Sequence, residues 1–191
     1  MGLARSLPEL NVAYYLQSDL PFSDNSNFNI IFSEIKNNTS IKKVVLAALW
    51  SRRVADLNNE IDVTKKLINT FDALKDSGKM VFIADNIPWF PFSPNRCAQI
   101  RKFPSRNSIC DVDLSDVRVK SKRFRESLTQ ALASAPYVNF IDVERHFCSE
   151  SVCRMEKDGL LLYRDSRHLN INGSLLLGDL IVRENPLLSH D

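Results

Sequence analysis

Apolar positions in this chain follow two periods. Phe28, Ile31, Phe32 and Ile35 recur at helical spacing behind Ser26 or Asn27, either of which suits an N-cap. Val44-Val45-Leu46-Ala47-Ala48-Leu49-Trp50 is instead continuously apolar, the pattern of a parallel strand covered on both faces, and is expected at the centre of a sheet. The unit then repeats. Ile61, Leu67, Ile68, Phe71 and Leu74 form a helical stripe closed by Gly78, and Met80-Val81-Phe82-Ile83-Ala84 forms the next buried strand. A third helix runs through Val117, Phe124, Leu128, Ala131 and Leu132, with a strand from Tyr137 to Ile141 behind it. Val152 to Tyr163, turning at Asp158-Gly159, reads as a hairpin, and Ser174 to Val182 as the closing helix. At the start, Gly2 to Leu10 reads as a short helix. Val12-Ala13-Tyr14-Tyr15-Leu16 reads as a β-rich run before a turn at Ser18-Asp19-Leu20-Pro21.

Strands alternating with helices predict an α/β domain with a mainly parallel sheet and right-handed crossovers. One stretch breaks the alternation: Asp85 to Asp116 is irregular and carries Pro88, Pro91, Pro94 and Pro104. A structureless segment of that length inside a compact domain is functional, disordered or stapled, and Cys97 with Cys110 favours a staple.

Length and composition, 191 residues with 44% hydrophobic and 25% charged, fit one globular domain over residues 1–191. A net charge of +2 gives no argument for a nucleic-acid partner. The longest apolar run, Val44 to Trp50, falls far short of the about 20 residues that a bilayer span needs. Met1 to Leu10 lacks a signal peptide's apolar stretch, so export of this domain would depend on something upstream. The four cysteines form two local pairs, Cys97 with Cys110 and Cys148 with Cys153, which suits two loop-closing disulfides and an oxidising compartment. Reduced thiols and zinc are the alternatives, although these spacings are not C-x-x-C knuckles.

The chemistry concentrates in Leu160-Leu161-Leu162-Tyr163-Arg164-Asp165-Ser166-Arg167-His168-Leu169-Asn170-Ile171-Asn172-Gly173-Ser174. Asp165 precedes His168 by three residues on a loop between an apolar strand and an apolar helix, and an acid so placed can orient an imidazole as a general base. The carboxyl edge of a parallel sheet is where such loops gather reacting groups. An ordinary surface loop with one acid and one histidine has the same spacing, so the surroundings must decide.

Those surroundings resemble the last sequence block of the SGNH (GDSL-like) hydrolase superfamily, in particular the extracytoplasmic SGNH domain fused to membrane acyltransferases of the acyltransferase-3 family. The resemblance covers essentially the whole chain, most specifically Tyr163 to Ser174, then Val44 to Arg53 and the two cysteine loops. It implies a three-layer, flavodoxin-like α/β domain. It also implies O-acylation, usually O-acetylation, of a cell-surface glycan such as lipopolysaccharide O-antigen, with Asp165 and His168 as the catalytic acid-imidazole pair. An esterase of the GDSL type would use the same residues, and a remnant without activity is the third possibility. Members often carry cysteines in these two loops, which favours the disulfides. The implied setting is periplasmic, with a membrane-embedded acyltransferase domain upstream, an acyl donor and a glycan acceptor as partners. No cofactor and no metal is expected.

This sequence departs from the family pattern in three blocks. The superfamily's nucleophile sits in a Gly-Asp-Ser block after a first central strand, and this sequence contains neither. The expectation is therefore a nucleophilic Ser outside this chain, with the absent strand flanking the Val44 strand, and residues 1–191 inactive by themselves. Ser6 is a nearby hydroxyl that reads as an ordinary serine. The family's Gly of the second block and Asn of the third are not evident, since Trp50-Ser51-Arg52-Arg53 follows the apolar run.

Further candidates have everyday explanations. Arg52 and Arg53 could bind an anionic sugar, or merely be solvated. Trp50 and Trp89 could stack on a sugar ring, or pack. His146 has no acid at matching spacing and reads as structural, His190 belongs to the tail, and the basic run Arg118 to Arg125 reads as a solvated helix face.

Overall fold

Val81, Phe82 and Ile83 are almost wholly excluded from water, as the middle strand of a covered sheet must be. The computed structural model describes residues 5–7, 11–15, 20–21, 26–58, 61–100 and 110–189. It divides into two compact units, Ala13–Asn86 with Lys120–Ile141, and Met1–Val12 with Ile87–Val119 and Asp142–Asp191.

The first unit is built on a parallel sheet in the order β1-β2-β4, with β1 at Lys43–Leu46, β2 at Met80–Ala84 and β4 at Asn139–Ile141. Val44 pairs with Val81, Leu46 with Ile83, and Ile83 with Phe140. Helices α1 (Ser26–Asn37), α2 (Trp50–Ala55) and α3 (Val63–Lys75) precede and connect the first strands. Helix α3 starts where Asp62 accepts the Lys65 N–H at 2.9 Å. It ends in paired bonds, Gly78 N–H to Lys75 O and Lys79 N–H to Leu74 O, that use carbonyls otherwise left open. Valine, leucine and phenylalanine from α3 (Val63, Leu67, Phe71, Leu74) meet Phe124, Leu128 and Ala131 of α5 (Leu114–Ser134) in one core. Along α5 the buried positions Leu114, Val117, Ser121, Phe124, Leu128 and Ala131 alternate by three and four, the stripe that fixes which face turns inward.

The apolar run Val44 to Trp50 is not strand throughout. The strand stops at Leu46, and Trp50 opens α2. Its indole is fully buried, donates to the Ala84 carbonyl at 2.9 Å and stacks on Phe124 at 5.2 Å. That combination satisfies the one polar atom of a large apolar side chain, so the chain turns inward rather than extending. Nor is β1 central among the described residues, since it pairs with β2 alone. Residues 11–15 form no strand; Val12 and Tyr14 are exposed, and only Tyr15 packs, partly buried, against the core. Of Gly2 to Leu10, only residues 5–7 are described, with Arg5 and Ser6 helical; Leu16, Ser18, Asp19 and His190 lie outside the described residues.

In the second unit the segment after Asp85 has more structure than its prolines led one to expect. It holds helix α4 (Pro94–Ile100) and strand β3 (Asp111–Asp113), tied by the Cys97–Cys110 disulfide. Strand β3 pairs antiparallel with β5 (Val152–Arg154), so the first third of the expected hairpin serves another partner. The hairpin proper is β6 (Glu156–Lys157) and β7 (Leu160–Leu161) around Asp158 and Gly159, whose φ values of 51° and 77° are those of a two-residue I′ turn. A 3₁₀ turn at Glu144–His146, the loop after it that the Cys148–Cys153 disulfide closes, and helices α6 (Ile171–Glu184) and α7 (Pro186–Ser189) complete the unit. No helix among the described residues is long and apolar enough to cross a membrane.

The disulfides close unequal loops, 13 and 5 residues in sequence separation. In the chain-entropy account they stabilise by about 3 and about 2 kcal/mol. A Cys97→Ser/Cys110→Ser protein is therefore expected to melt about 6–12 °C lower and a Cys148→Ser/Cys153→Ser protein about 4–8 °C lower, a ranking that thermal unfolding followed by circular dichroism checks.

Candidate active site

Residues 164–168 form a loop whose two ends are clamped. Tyr163 and Leu169 make an isolated antiparallel bridge, Arg164 N–H donates to His168 O at 2.9 Å, and Asn170 N–H donates to Leu162 O at 2.9 Å. The Asn170 side chain joins three segments: its amide donates to Leu161 O (2.7 Å) and Tyr163 O (3.4 Å), and its oxygen accepts the Gly173 N–H (2.9 Å) as the N-cap of α6. Tyr163 itself is buried, edge-on to Phe90 at 5.0 Å and Phe147 at 5.6 Å, with its hydroxyl donating to Pro88 O at 3.2 Å. Burial pushes that phenol well above its ordinary range, so it serves as a fixed donor.

Within the clamped loop Asp165 binds inward on its own backbone. Its Oδ1 accepts the N–H groups of Arg167 and His168, each at 2.9 Å, an Asx-type turn. Its carboxylate also meets His168 Nδ1, at 2.8 Å from Oδ2 and 3.0 Å from Oδ1. The Arg167 N–H, with smaller help from the His168 ring and N–H, holds the Asp165 carboxyl down to about 2, well below the usual carboxylate range. An ionised carboxylate only accepts, so the shared proton sits on Nδ1, which in the neutral ring puts the lone pair on Nε2. The imidazole is about half exposed (49%), and among the described residues no hydroxyl bonds its ring. Such a ring is oriented, in the tautomer of a base, and open to an incoming proton donor.

Helix α6 is pressed against this loop through Gly173. A β-carbon there would overlap the Leu162 carbonyl oxygen and lie 2.9 Å from its carbon and 3.1 Å from Leu162 Cα, all backbone atoms that cannot swing aside. Gly173→Ala is expected to cost about 1–3 kcal/mol, read from urea unfolding, and to loosen the Asn170 clamp with it.

Of the other residues singled out in the sequence, Trp50, Arg52 and Arg53 belong to α2 of the first unit. Trp50, fully buried, is a core residue and offers no face to a sugar. Arg52 is exposed and lies 3.9 Å from Asp56, an i,i+4 contact, while Arg53 is half-buried. Trp89 is half-buried in the second unit with the Arg167 guanidinium 5.5 Å over its ring. Ser6 donates its hydroxyl to Asp179 on α6. His146 does meet an acid, though one 38 residues on: its Nε2 lies 3.3 Å from Glu184, which Arg145 also contacts. Burial nonetheless keeps His146 below the ordinary histidine range, against the pull of Glu184. The basic run is not simply solvated: Arg118 binds Glu144, Arg125 binds Asp85, and Arg123 donates to the carbonyls of Val54, Leu57, Asn58 and Ile61.

An acid–imidazole pair on a strand-loop-helix segment of an α/β fold is an arrangement that serine-type hydrolases and acyltransferases use. Residues 6–183 match the family described as the SGNH domain fused to AT3 domains, and the chain belongs to that family. No curated protein matches the chain. Among solved structures, the periplasmic domain of a lipopolysaccharide acetyltransferase from Salmonella ser. Paratyphi A is similar over 97% of this chain and 76% of that one, with a TM-score of 0.61 and 13% identity. At that identity the likeness shows a shared fold.

Proposed function

We propose that this chain is an extracytoplasmic acyl-transfer domain that places an acyl group, usually acetyl, on a hydroxyl of a cell-surface glycan such as lipopolysaccharide O-antigen. The observation that carries the reading is the 2.8 Å contact between Asp165 and His168 Nδ1, which leaves Nε2 as the base. The SGNH family's fusion to AT3 domains supports a membrane-embedded acyltransferase domain as partner, and the two disulfides support an oxidising compartment.

In this reading the nucleophile is a serine of a Gly-Asp-Ser block outside the present sequence. His168 Nε2 removes the serine proton as its oxygen attacks the donor's acyl carbonyl, and the imidazolium returns the proton to the leaving group. The sugar hydroxyl then attacks the acyl-serine, His168 takes its proton, and the serine oxygen leaves with it. Asp165 keeps Nδ1 protonated and offsets the positive charge that forms on the ring twice per cycle.

The test is acetylation of the surface glycan in cells that express the gene with all in-frame sequence preceding residue 1, compared with His168→Ala and read by mass spectrometry of the released glycan. Acetyl is expected on the glycan with the native protein and absent with the variant. Glycan acetylation that persists in His168→Ala overturns the assignment, and His168-dependent release of acetate without glycan acetylation points to an ester hydrolase instead.

A further inference from the structure

Arg167 is a half-buried guanidinium that no carboxylate pairs with among the described residues. Asp165 bonds it through the backbone N–H and not through the side chain. Arg118, Arg125 and Arg154 in contrast each face an acid, Glu144 at 2.9 Å, Asp85 at 2.7 Å and Asp111 at 3.2 Å. Partly desolvating a guanidinium without an anion is costly, and what Arg167 has in its place is the indole of Trp89 at 5.5 Å. A cation–π contact orients the planar fork while leaving its N–H donors unspent for an oxygen ligand.

Trp89 is itself pinned. The residue before it, Pro88, accepts the Tyr163 hydroxyl at 3.2 Å, and the residue after it, Phe90, donates its N–H to Ser166 O at 2.9 Å. Phe90 is fully buried against Tyr163. Both backbone neighbours of the indole are thus fastened to the loop that carries Asp165 and His168, and Arg167 adjoins His168 in the chain. An aromatic face and an oriented guanidinium, rigidly attached beside a general base, are the elements that hold a sugar ring and an acidic group.

We propose that Trp89 and Arg167 form an acceptor subsite for an acidic sugar, the C–H face of the ring against the indole and the carboxylate on the guanidinium. The inference rests on the acyl-transfer reading for its purpose but not for its measurement. Isothermal titration of the protein with methyl glucuronoside and methyl glucoside isolates the carboxylate. The glucuronoside is expected to bind at least about tenfold more tightly, the worth of one charge-assisted bidentate contact. Arg167→Met is expected to remove that preference, Arg167→Lys to restore part of it, and Trp89→Ala to weaken both ligands, with circular dichroism melts confirming that the variants fold. Both affinities are read without turnover, so a failed acyl-transfer assignment and a failed subsite give different results. Equal binding of the two glycosides, no binding of either, or a preference that survives Arg167→Met overturns the proposal.

Discussion

Asp165→Asn is expected to lower the acyl-transfer rate about 10²- to 10⁴-fold without unfolding the protein. The asparagine oxygen can still accept the N–H groups of Arg167 and His168, so the turn at 2.9 Å from each persists. What changes is the other carboxylate oxygen, which meets Nδ1 at 2.8 Å. An amide NH₂ in that place donates, the ring responds by moving its proton to Nε2, and the base is lost. Losing the tautomer in a buried serine-protease triad costs about 10⁴, and the half-exposed setting here lets water supply part of the acceptor, hence the lower bound. Steady-state kinetics on the acyl donor read the rate, and disappearance of a hydrogen-bonded Nδ1 proton in the NMR spectrum reads the cause.

The same carboxylate gives a pH signature with a definite sign. Its pKa is about 2 in the folded protein against 3.8 for the free group, so the folded state binds the proton less readily than the unfolded one. The stability it contributes is therefore complete above about pH 4 and is lost as the pH falls towards 2. Because the side chain is 46% exposed, solvent screening keeps that contribution small. Wild type and Asp165→Asn should thus differ in melting temperature above pH 4 and converge by about pH 2.

The acid–imidazole pair was legible because its members lie three residues apart, within reach of one turn. The elements of the α/β unit were legible for a similar reason: the stripe Leu67, Phe71, Leu74 and the run Val81 to Ala84 each state their period locally. Failures came where an apolar residue had two uses. Val44 to Trp50 looks like strand in every position, and what ends it at Leu46 is the Ala84 carbonyl waiting for an indole N–H 34 residues upstream. Distance in sequence hid the rest. The pairing of β3 with β5 spans some 40 residues, Glu184 reaches His146 from another helix, and the acids facing Arg118 and Arg125 sit 26 and 40 residues away. The Asx turn at Asp165, by contrast, could have been foreseen, since Asp followed by a tight polar loop commonly bonds the N–H two residues on.

Those hidden acids make the largest stability prediction. Asp85 follows β2 directly, and its carboxylate is almost wholly buried, with 2% of its side chain exposed and Arg125 Nη1 2.7 Å away. The Arg125 side chain keeps 30% of its surface in water, so it closes the acid off rather than sharing its burial. Arg125→Met keeps the length and the apolar stem but removes the cation, and a buried carboxylate that keeps hydrogen bonds such as the Asn86 N–H but loses its cation costs about 3–5 kcal/mol. Around Asp85 the end of β2 is also where Asn86 accepts the Ser51 N–H at 3.2 Å and Ala84 accepts the Trp50 indole, so the start of α2 hangs on this turn. Urea unfolding of Arg125→Met is expected to show the full loss at unchanged m-value, with amide exchange fastest in α2. The decisive comparison is the double variant Asp85→Asn/Arg125→Met: a neutral amide needs no cation, so most of the lost stability should return. If the double variant is no more stable than Arg125→Met alone, the arginine acts through packing on α5 and not through the charge of Asp85.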